Sequence, residues 1–271
     1  MYRYNKMFQS IKLINEGCLM PFVTIGDPSI QTFYKIIDIL VSAGINALEL
    51  GIPFSDPLAD GVIVQNANNR VLSQNITIKK CFTILKNIRQ KYPTLPIGIL
   101  VYANIIFNMG IEKFYEKCYK IDIDSVLIPD VPLEESNIFR KYAQKYNISE
   151  ILICPPNANI AFIKKISKIS TGFIYLIARS GVTGFIHQKN NPSIQIIKQI
   201  KQKTSTPILQ GFGISTASQI KNSLLLGTNG VICGSIIINL IQKFQHNPEI
   251  MLKQIKNLTL KLKAATKMSI P

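Results

Sequence analysis

The sequence predicts a single α/β domain, a (β/α)8 TIM barrel with an extra N-terminal helix. Three observations lead there. Short apolar runs alternate with amphipathic segments about eight times, without a linker or a break in composition. The runs are continuously apolar rather than alternating, as strands covered on both faces are. At 271 residues the chain has the size at which eight such units close, so residues 1–271 read as one domain. A doubly wound open sheet shares this rhythm, but it needs fewer strands or a dinucleotide fingerprint. No GxGxxG follows the first strand.

The elements follow in order. Met1 to Gly17 mixes charged, polar and apolar residues and lacks the apolar core of a secretion signal. Pro21 to Gly26 (PFVTIG) reads as the first strand. Asp27-Pro28-Ser29 opens a helix with a capping side chain and a proline near its first turn. Phe33, Ile36, Ile37, Leu40 and Val41 share one face of it, and Gly44 ends it. Ala47 to Gly51 is the second strand, and the helix from Thr77 carries Ile78, Phe82, Leu85 and Ile88 on one side. Strands are expected at Pro96–Tyr102, Asp124–Ile128, Glu150–Cys154, Phe173–Ala178, Pro207–Gly211 and Gly230–Cys233. Helices are expected at Ile111–Tyr119, Leu133–Tyr146, Asn159–Ile169, Pro192–Lys203 and Ser215–Leu226. Glu134 and Glu135 fall in the first turn of the second of these, where the helix dipole favours anions. A last helical region carries Met251, Ile255, Leu258 and Leu262 on one stripe.

Bulk composition narrows the function. The five cysteines are scattered with no CxxC pair, which reads as reduced, buried thiols rather than a disulfide frame or zinc site. With two histidines, His187 and His246, a His-based metal site or a Ser-His-Asp triad has little to draw on. The longest apolar-rich stretch, Val231 to Ile241, is interrupted by Gly234, Ser235 and Asn239 and is too short to span a bilayer. No membrane association and a cytoplasmic location are the expectations. The net charge of +16 raises a nucleic-acid partner, or attraction of a phosphorylated substrate. The lysines are spread over many helices without interleaved aromatics, so a solvated Lys-rich surface and no nucleic-acid role is the preferred reading.

In a barrel of this class the chemistry sits at the C-terminal strand ends. Leu48 to Gly61 reads LELGIPFSDPLADG. Glu49 lies inside an apolar strand, where a carboxylate is costly without a partner or a task. A structural ion pair is the plain alternative. Pro53 and Pro57 stiffen a loop that brings Ser55, Asp56 and Asp60 back over the strand end, so two carboxylates can face one substrate. Apolar surroundings raise the pKa of Glu49 and let it exchange protons near neutral pH. Asp60, nearer solvent, is expected to stay ionised and accept from a substrate N–H. Gly211-Phe212-Gly213 ends strand seven, and Cys233-Gly234-Ser235 ends strand eight and opens a helix. Backbone N–H groups and a helix N-terminus there make a phosphate cradle, against the alternative of ordinary glycine turns. Ala178 to Gly184 (ARSGVTG) forms a Gly-rich loop that can act as a lid, with Gly184 offering another N–H. Tyr175, on the strand before it, either places a phenol near Glu49 or is a core aromatic.

LELGIPFSDPLADG resembles the block around the two catalytic acids of the tryptophan synthase α subunits. PFVTIGDP, PIGILVYAN, PDVP, RSGVTG, GFGIS and GSI resemble further blocks of that family in the same order, over nearly the whole chain. The resemblance implies retro-aldol cleavage of indole-3-glycerol phosphate to indole and glyceraldehyde 3-phosphate, with indole passed to a β subunit. It implies that Glu49 protonates indole C3, that Asp60 holds the indole N–H, and that Tyr175 assists. Phe22, Leu100, Leu127 and Phe212 would wall the indole pocket, with Tyr102 and Thr183 also against substrate. Gly184, Gly213, Gly234 and Ser235 match phosphate-binding positions. The loops Pro53–Asp60 and Arg179–Gly184 match mobile lids, and the first of these, with Tyr102–Asn108 and Asp130–Pro132, matches the face toward the β subunit. That partner, in an α2β2 tetramer, would carry pyridoxal phosphate, and this chain would hold no cofactor or metal. Two features depart from the pattern. Val62 stands where proline usually follows ADG, freeing a φ angle beside Asp60. The strong positive charge is not a family trait. A Schiff-base aldolase is a separate reading, but the strands lack an interior lysine at their ends.

Overall fold

The structure, a computed structural model, describes residues 2–177 and 192–268. Eight parallel strands close on themselves in sequence order: β1 (Cys18–Thr24), β2 (Leu48–Gly51), β3 (Ile97–Leu100), β4 (Ser125–Leu127), β5 (Ser149–Cys154), β6 (Ile174–Ile177), β7 (Ile208–Gly211) and β8 (Gly230–Cys233). The helices are α1 (Tyr2–Leu13), α2 (Ile30–Ser42), α3 (Val62–Leu72), α4 (Ile78–Lys91), α5 (Ala103–Met109), α6 (Ile111–Lys120), α7 (Asn137–Lys145), α8 (Ile160–Ile169), α9 (Pro192–Lys201), α10 (Ala217–Leu225), α11 (Ser235–Phe244) and α12 (Pro248–Ala264). The expected barrel and N-terminal helix are both present. No described helix is long and apolar enough to cross a membrane.

Each strand divides its side chains between two cores. On β2, Leu48 and Leu50 point outward into the apolar layer under the helices, and Glu49 between them points into the barrel. On β6, Ile174 and Leu176 point outward and Tyr175 inward. The inner core holds Met20, Phe22, Leu127, Ile151, Tyr175, Leu209 and Ile232. This period of two, set by the pleat, aims both candidate groups at one interior. Burial of an apolar side chain of this size contributes about 1.5–3 kcal/mol.

The N-terminal end of the barrel is closed by α1. Its residues Tyr4, Met7 and Ile11 belong to the inner core. The Tyr4 hydroxyl meets Ser125 Oγ at 2.9 Å, at the start of β4, and its ring lies edge-on to Phe173 at 5.5 Å. Gly98 makes room, since a Cβ there would stand 2.6 Å from Ser125 Oγ. Arg3 binds Asp122 and Asp124, and Asp124 also accepts from Arg89 at 2.6 Å and from the Ile97 amide at 2.8 Å.

Local chemistry fixes the element ends. Ser29 Oγ accepts the Thr32 amide at the start of α2, and Gly44 takes φ +86° just past its end, as expected. Pro28 stands one residue before that cap, near the first turn as expected. Thr77, Asn159 and Thr216 cap α4, α8 and α10 in the same way. Strand β1 starts at Cys18, ahead of the expected Pro21. Its ladder to β8 ends at Pro21↔Cys233 and its ladder to β2 begins at Phe22↔Glu49, so the residue without an amide donor sits at the change of partner. Helix α7 starts at Asn137, later than expected. Residues 133–136 form a turn in which Ser136 Oγ donates to the Leu133 carbonyl, which leaves Glu134 and Glu135 outside the helix. All five cysteines are buried and free.

Candidate active site

Glu49 lies midway along β2, flanked in register by Phe22 on β1 and Gly98 on β3. It is 3 % exposed. Burial first, and the nearby Asp60 charge second, raise its carboxyl pKa to about 8. A proton is therefore on this group at neutral pH and is readily exchanged there.

Asp60 ends the loop after β2. Burial raises its pKa, while hydrogen bonds from Tyr102 and Asn68 oppose the rise. It is half-buried, nearer solvent than Glu49 as expected, though burial still works against its ionised form. Its backbone amide donates to Pro57 O at 3.0 Å, and its carbonyl accepts Gln65 Nε2 at 2.8 Å. Tyr102, buried just past β3, stacks on Phe54 at 5.1 Å, and its hydroxyl accepts the Ala59 amide at 3.1 Å. One phenol thus ties the 53–60 loop to the next strand end.

Tyr175 points into the same interior. Its phenol is held well above its ordinary pKa, first by burial and then by the Glu49 charge, and the Phe212 amide donates to it. Gly211 is what admits this phenol. A Cβ at 211 would stand 2.1 Å from the Tyr175 oxygen. Phe212 packs edge-on to Tyr175 at 6.1 Å and is 43 % exposed. Its φ of +63° is followed by +75° at Gly213. A bulky residue in that region is strained, and such strain collects at functional sites.

Phe22, Leu100 and Leu127 line the inner core below the mouth. The Phe22 ring is wedged between two glycines. A Cβ on Gly51 would meet it at 2.7 Å and one on Gly234 at 3.0 Å. Gly234 is also the N-cap of α11, which has no side-chain cap, so the first-turn N–H groups at Ser235 face outward from a helix N-terminus. Because β7 pairs with β8, the Gly211–Gly213 turn and the Gly234–Ser235 turn are neighbours. Thr183 and Gly184, with the rest of the Arg179–Gly184 loop, lie outside the described residues.

The sequence reading missed the roles of Gly51 and of Gly211, read there only as part of a phosphate turn, and it missed Gln65 and Asn68. The space that the first two leave for Phe22 and Tyr175 shows only once those aromatic rings are in place. The last two lie on α3, whose Asn-rich sequence carries a weak helical pattern.

A buried proton-exchanging carboxyl, a second carboxylate beside it and a strained turn at the same mouth define a (β/α)8 barrel enzyme of acid–base type. A model of the tryptophan synthase alpha chain family matches residues 8–267. The chain is 55 % identical over 265 residues to the tryptophan synthase alpha chain of Buchnera aphidicola subsp. Baizongia pistaciae, covering 98 % of this chain and 97 % of that one. It is 48 % identical to that of Sodalis glossinidius over 98 % of this chain and all of the relative. The crystal structure of the Legionella pneumophila alpha chain superposes with TM-score 0.86 at 25 % identity, covering 97 % of each chain. The chain belongs to the tryptophan synthase alpha chain family. Its activity is that family's: retro-aldol cleavage of indole-3-glycerol phosphate to indole and glyceraldehyde 3-phosphate, with the indole going on to tryptophan synthesis on a β subunit.

Proposed function

We propose that Glu49 is the acid and base of this cleavage and Asp60 its electrostatic partner. The observation that carries the assignment is the Glu49 carboxyl, buried and shifted to about 8 with a second carboxyl beside it. At neutral pH it holds a proton to give to indole C3. Positive charge then develops on the indole nitrogen, and Asp60 accepts that N–H. As the bond from C3 to the glycerol carbon breaks, the Glu49 carboxylate takes the hydroxyl proton and the aldehyde forms. The acid is regenerated, so one group serves both steps. Tyr175 supports Glu49 from β6.

Phe22, Leu100, Leu127, Phe212 and Tyr102 wall the indole pocket, together with Thr183. Gly213, Gly234, Ser235 and Gly184 grip the phosphate. In support, the α11 N-terminus lacks a side-chain cap and abuts the β7 turn. The family implies a β-subunit partner. We assign its docking to the mouth, where Leu58 and Phe107 stand exposed on the 53–60 loop and on α5. We assign an α2β2 assembly, pyridoxal phosphate to the β subunit and none to this chain, and a cytoplasmic location. Closure of the strands in one ring supports reading residues 1–271 as one domain.

Indole release from indole-3-glycerol phosphate tests the roles. Glu49→Gln and Asp60→Asn should each lose on the order of 10²-fold or more in kcat. Wild-type turnover in either variant removes that residue from the assignment.

A further inference from the structure

Asparagine in a helix interior is unfavourable by up to about 0.7 kcal/mol against alanine, and a buried amide adds a penalty unless it finds a partner. Asn68 sits inside α3 and is 3 % exposed. Its Nδ2 lies 3.3 Å from Asp60 Oδ2. The helix that carries it is itself anchored. Arg70, half a turn on, donates from Nε and Nη2 to the two oxygens of fully buried Asp27 at 2.9 and 2.8 Å, and from Nη1 to Gln242 on α11 at 3.4 Å. Gln65, one turn earlier, holds the Asp60 carbonyl. The base of α3 is thus pinned to the loop after β1, and two of its amides reach back to a single residue.

We infer that Asn68 is a positioning residue for the reaction, acting through Asp60: its amide orients the Asp60 carboxylate and favours the ionised form. The inference rests on Asp60 being the acceptor of the indole N–H. A carboxylate has about four lone-pair sites, so Asn68, Tyr102 and a substrate N–H are accommodated together. Among the described residues, the other titratable groups that feel the Asp60 charge are Glu49 on β2, Tyr102 beyond β3 and Tyr175 on β6. None of them carries a formal positive charge. Among the described residues, the Asn68 amide and the Tyr102 hydroxyl, both neutral donors, are what favours the ionised form of this carboxylate against the opposing effect of burial.

Two variants, one of similar branched shape and one of nearly the same volume, separate this role from a packing role. Asn68→Leu removes the donor, and Asn68→Asp replaces it with a like charge. The kcat for indole release is measured from pH 5 to 9, with Asn68→Gln as the conservative variant and thermal unfolding as the check on folding. Loss of a hydrogen bond to a charged group predicts a kcat drop on the order of 10-fold or more for Asn68→Leu. The acid limb of its profile should move to higher pH, further still in Asn68→Asp, with partial recovery in Asn68→Gln. Asp60→Asn is assayed alongside. If Asp60→Asn is impaired while Asn68→Leu and Asn68→Asp keep the wild-type kcat, or lose activity without movement of the acid limb, the role of Asn68 is overturned and that of Asp60 stands. If Asp60→Asn keeps the wild-type profile, both fall.

Discussion

Glu49 should make the protein less stable wherever it is charged, and Glu49→Gln measures by how much. In the unfolded chain a glutamate titrates near 4.3, whereas the buried carboxyl is pushed up to about 8. The folded state therefore binds more protons between those values, and stability falls as pH rises through that window. Below about pH 4 the group is neutral in both states and contributes nothing to the pH dependence. Above about pH 8 it is ionised in both, and the full penalty is present. At 1.36 kcal/mol per pH unit, the span amounts to about 5 kcal/mol. Glutamine has nearly the same shape and cannot ionise. The variant should match the wild type near pH 4 and exceed it by several kcal/mol at pH 8.5, a rise in Tm of about 10 °C for a chain of this size. Urea unfolding of both proteins at closely spaced pH values gives the difference directly, and the same samples assayed for indole release should show the loss of turnover. The reasoning is refuted if the stability difference does not grow with pH, or if the glutamine variant is the less stable one at pH 8.5.

Three other outcomes follow from the geometry. Gly211→Ala places a methyl group 2.1 Å from the Tyr175 oxygen, so the phenol must move, and kcat for indole release should fall on the order of 10²-fold with the fold intact by circular dichroism. Glu150, buried on β5 with one carboxylate oxygen unpartnered, is pushed up to about 8 by burial, with Arg140 opposing. Glu150→Gln should therefore gain stability on the same pH schedule as Glu49→Gln, while its lyase activity stays at the wild-type level. Arg70→Met leaves Asp27 buried without its guanidinium and should destabilise by about 3 kcal/mol in urea unfolding, the usual result of breaking a buried pair from one side.

The strands were legible because burial on both faces leaves an apolar run that few other elements produce, and the helices because each buries one stripe. The glutamate at 49 stood out for the same reason: an ionisable residue between Leu48 and Leu50 has no place in such a run without a purpose. What the sequence hid was set by tertiary contact. Helix α3 reads VIVQNANNRVL, rich in weak helix formers, and it is held by the Arg70–Asp27 pair and by packing of Ile63, Val64 and Ala67 on the inner core. Helix α5 is short, spanning Ala103–Met109, and its start is secured by Asp130, whose carboxylate accepts the Ala103 amide at 3.0 Å from across the next strand end. The function of Gly211 and Gly51 lies in side chains that belong to Tyr175 and Phe22. Such roles belong to pairs, and one-dimensional patterns report single residues.

The seating of α1 across the base of the ring, with Tyr4 pressed onto Ser125 and Phe173, has a consequence for traffic. A cylinder stoppered at one end is a cul-de-sac. With the base closed, whatever reaches Glu49 enters by the mouth, and on the role proposed for Glu49 both fragments leave by that same doorway. With the β subunit docked at the mouth as proposed, the indole would be handed over on the same threshold where the substrate phosphate is gripped.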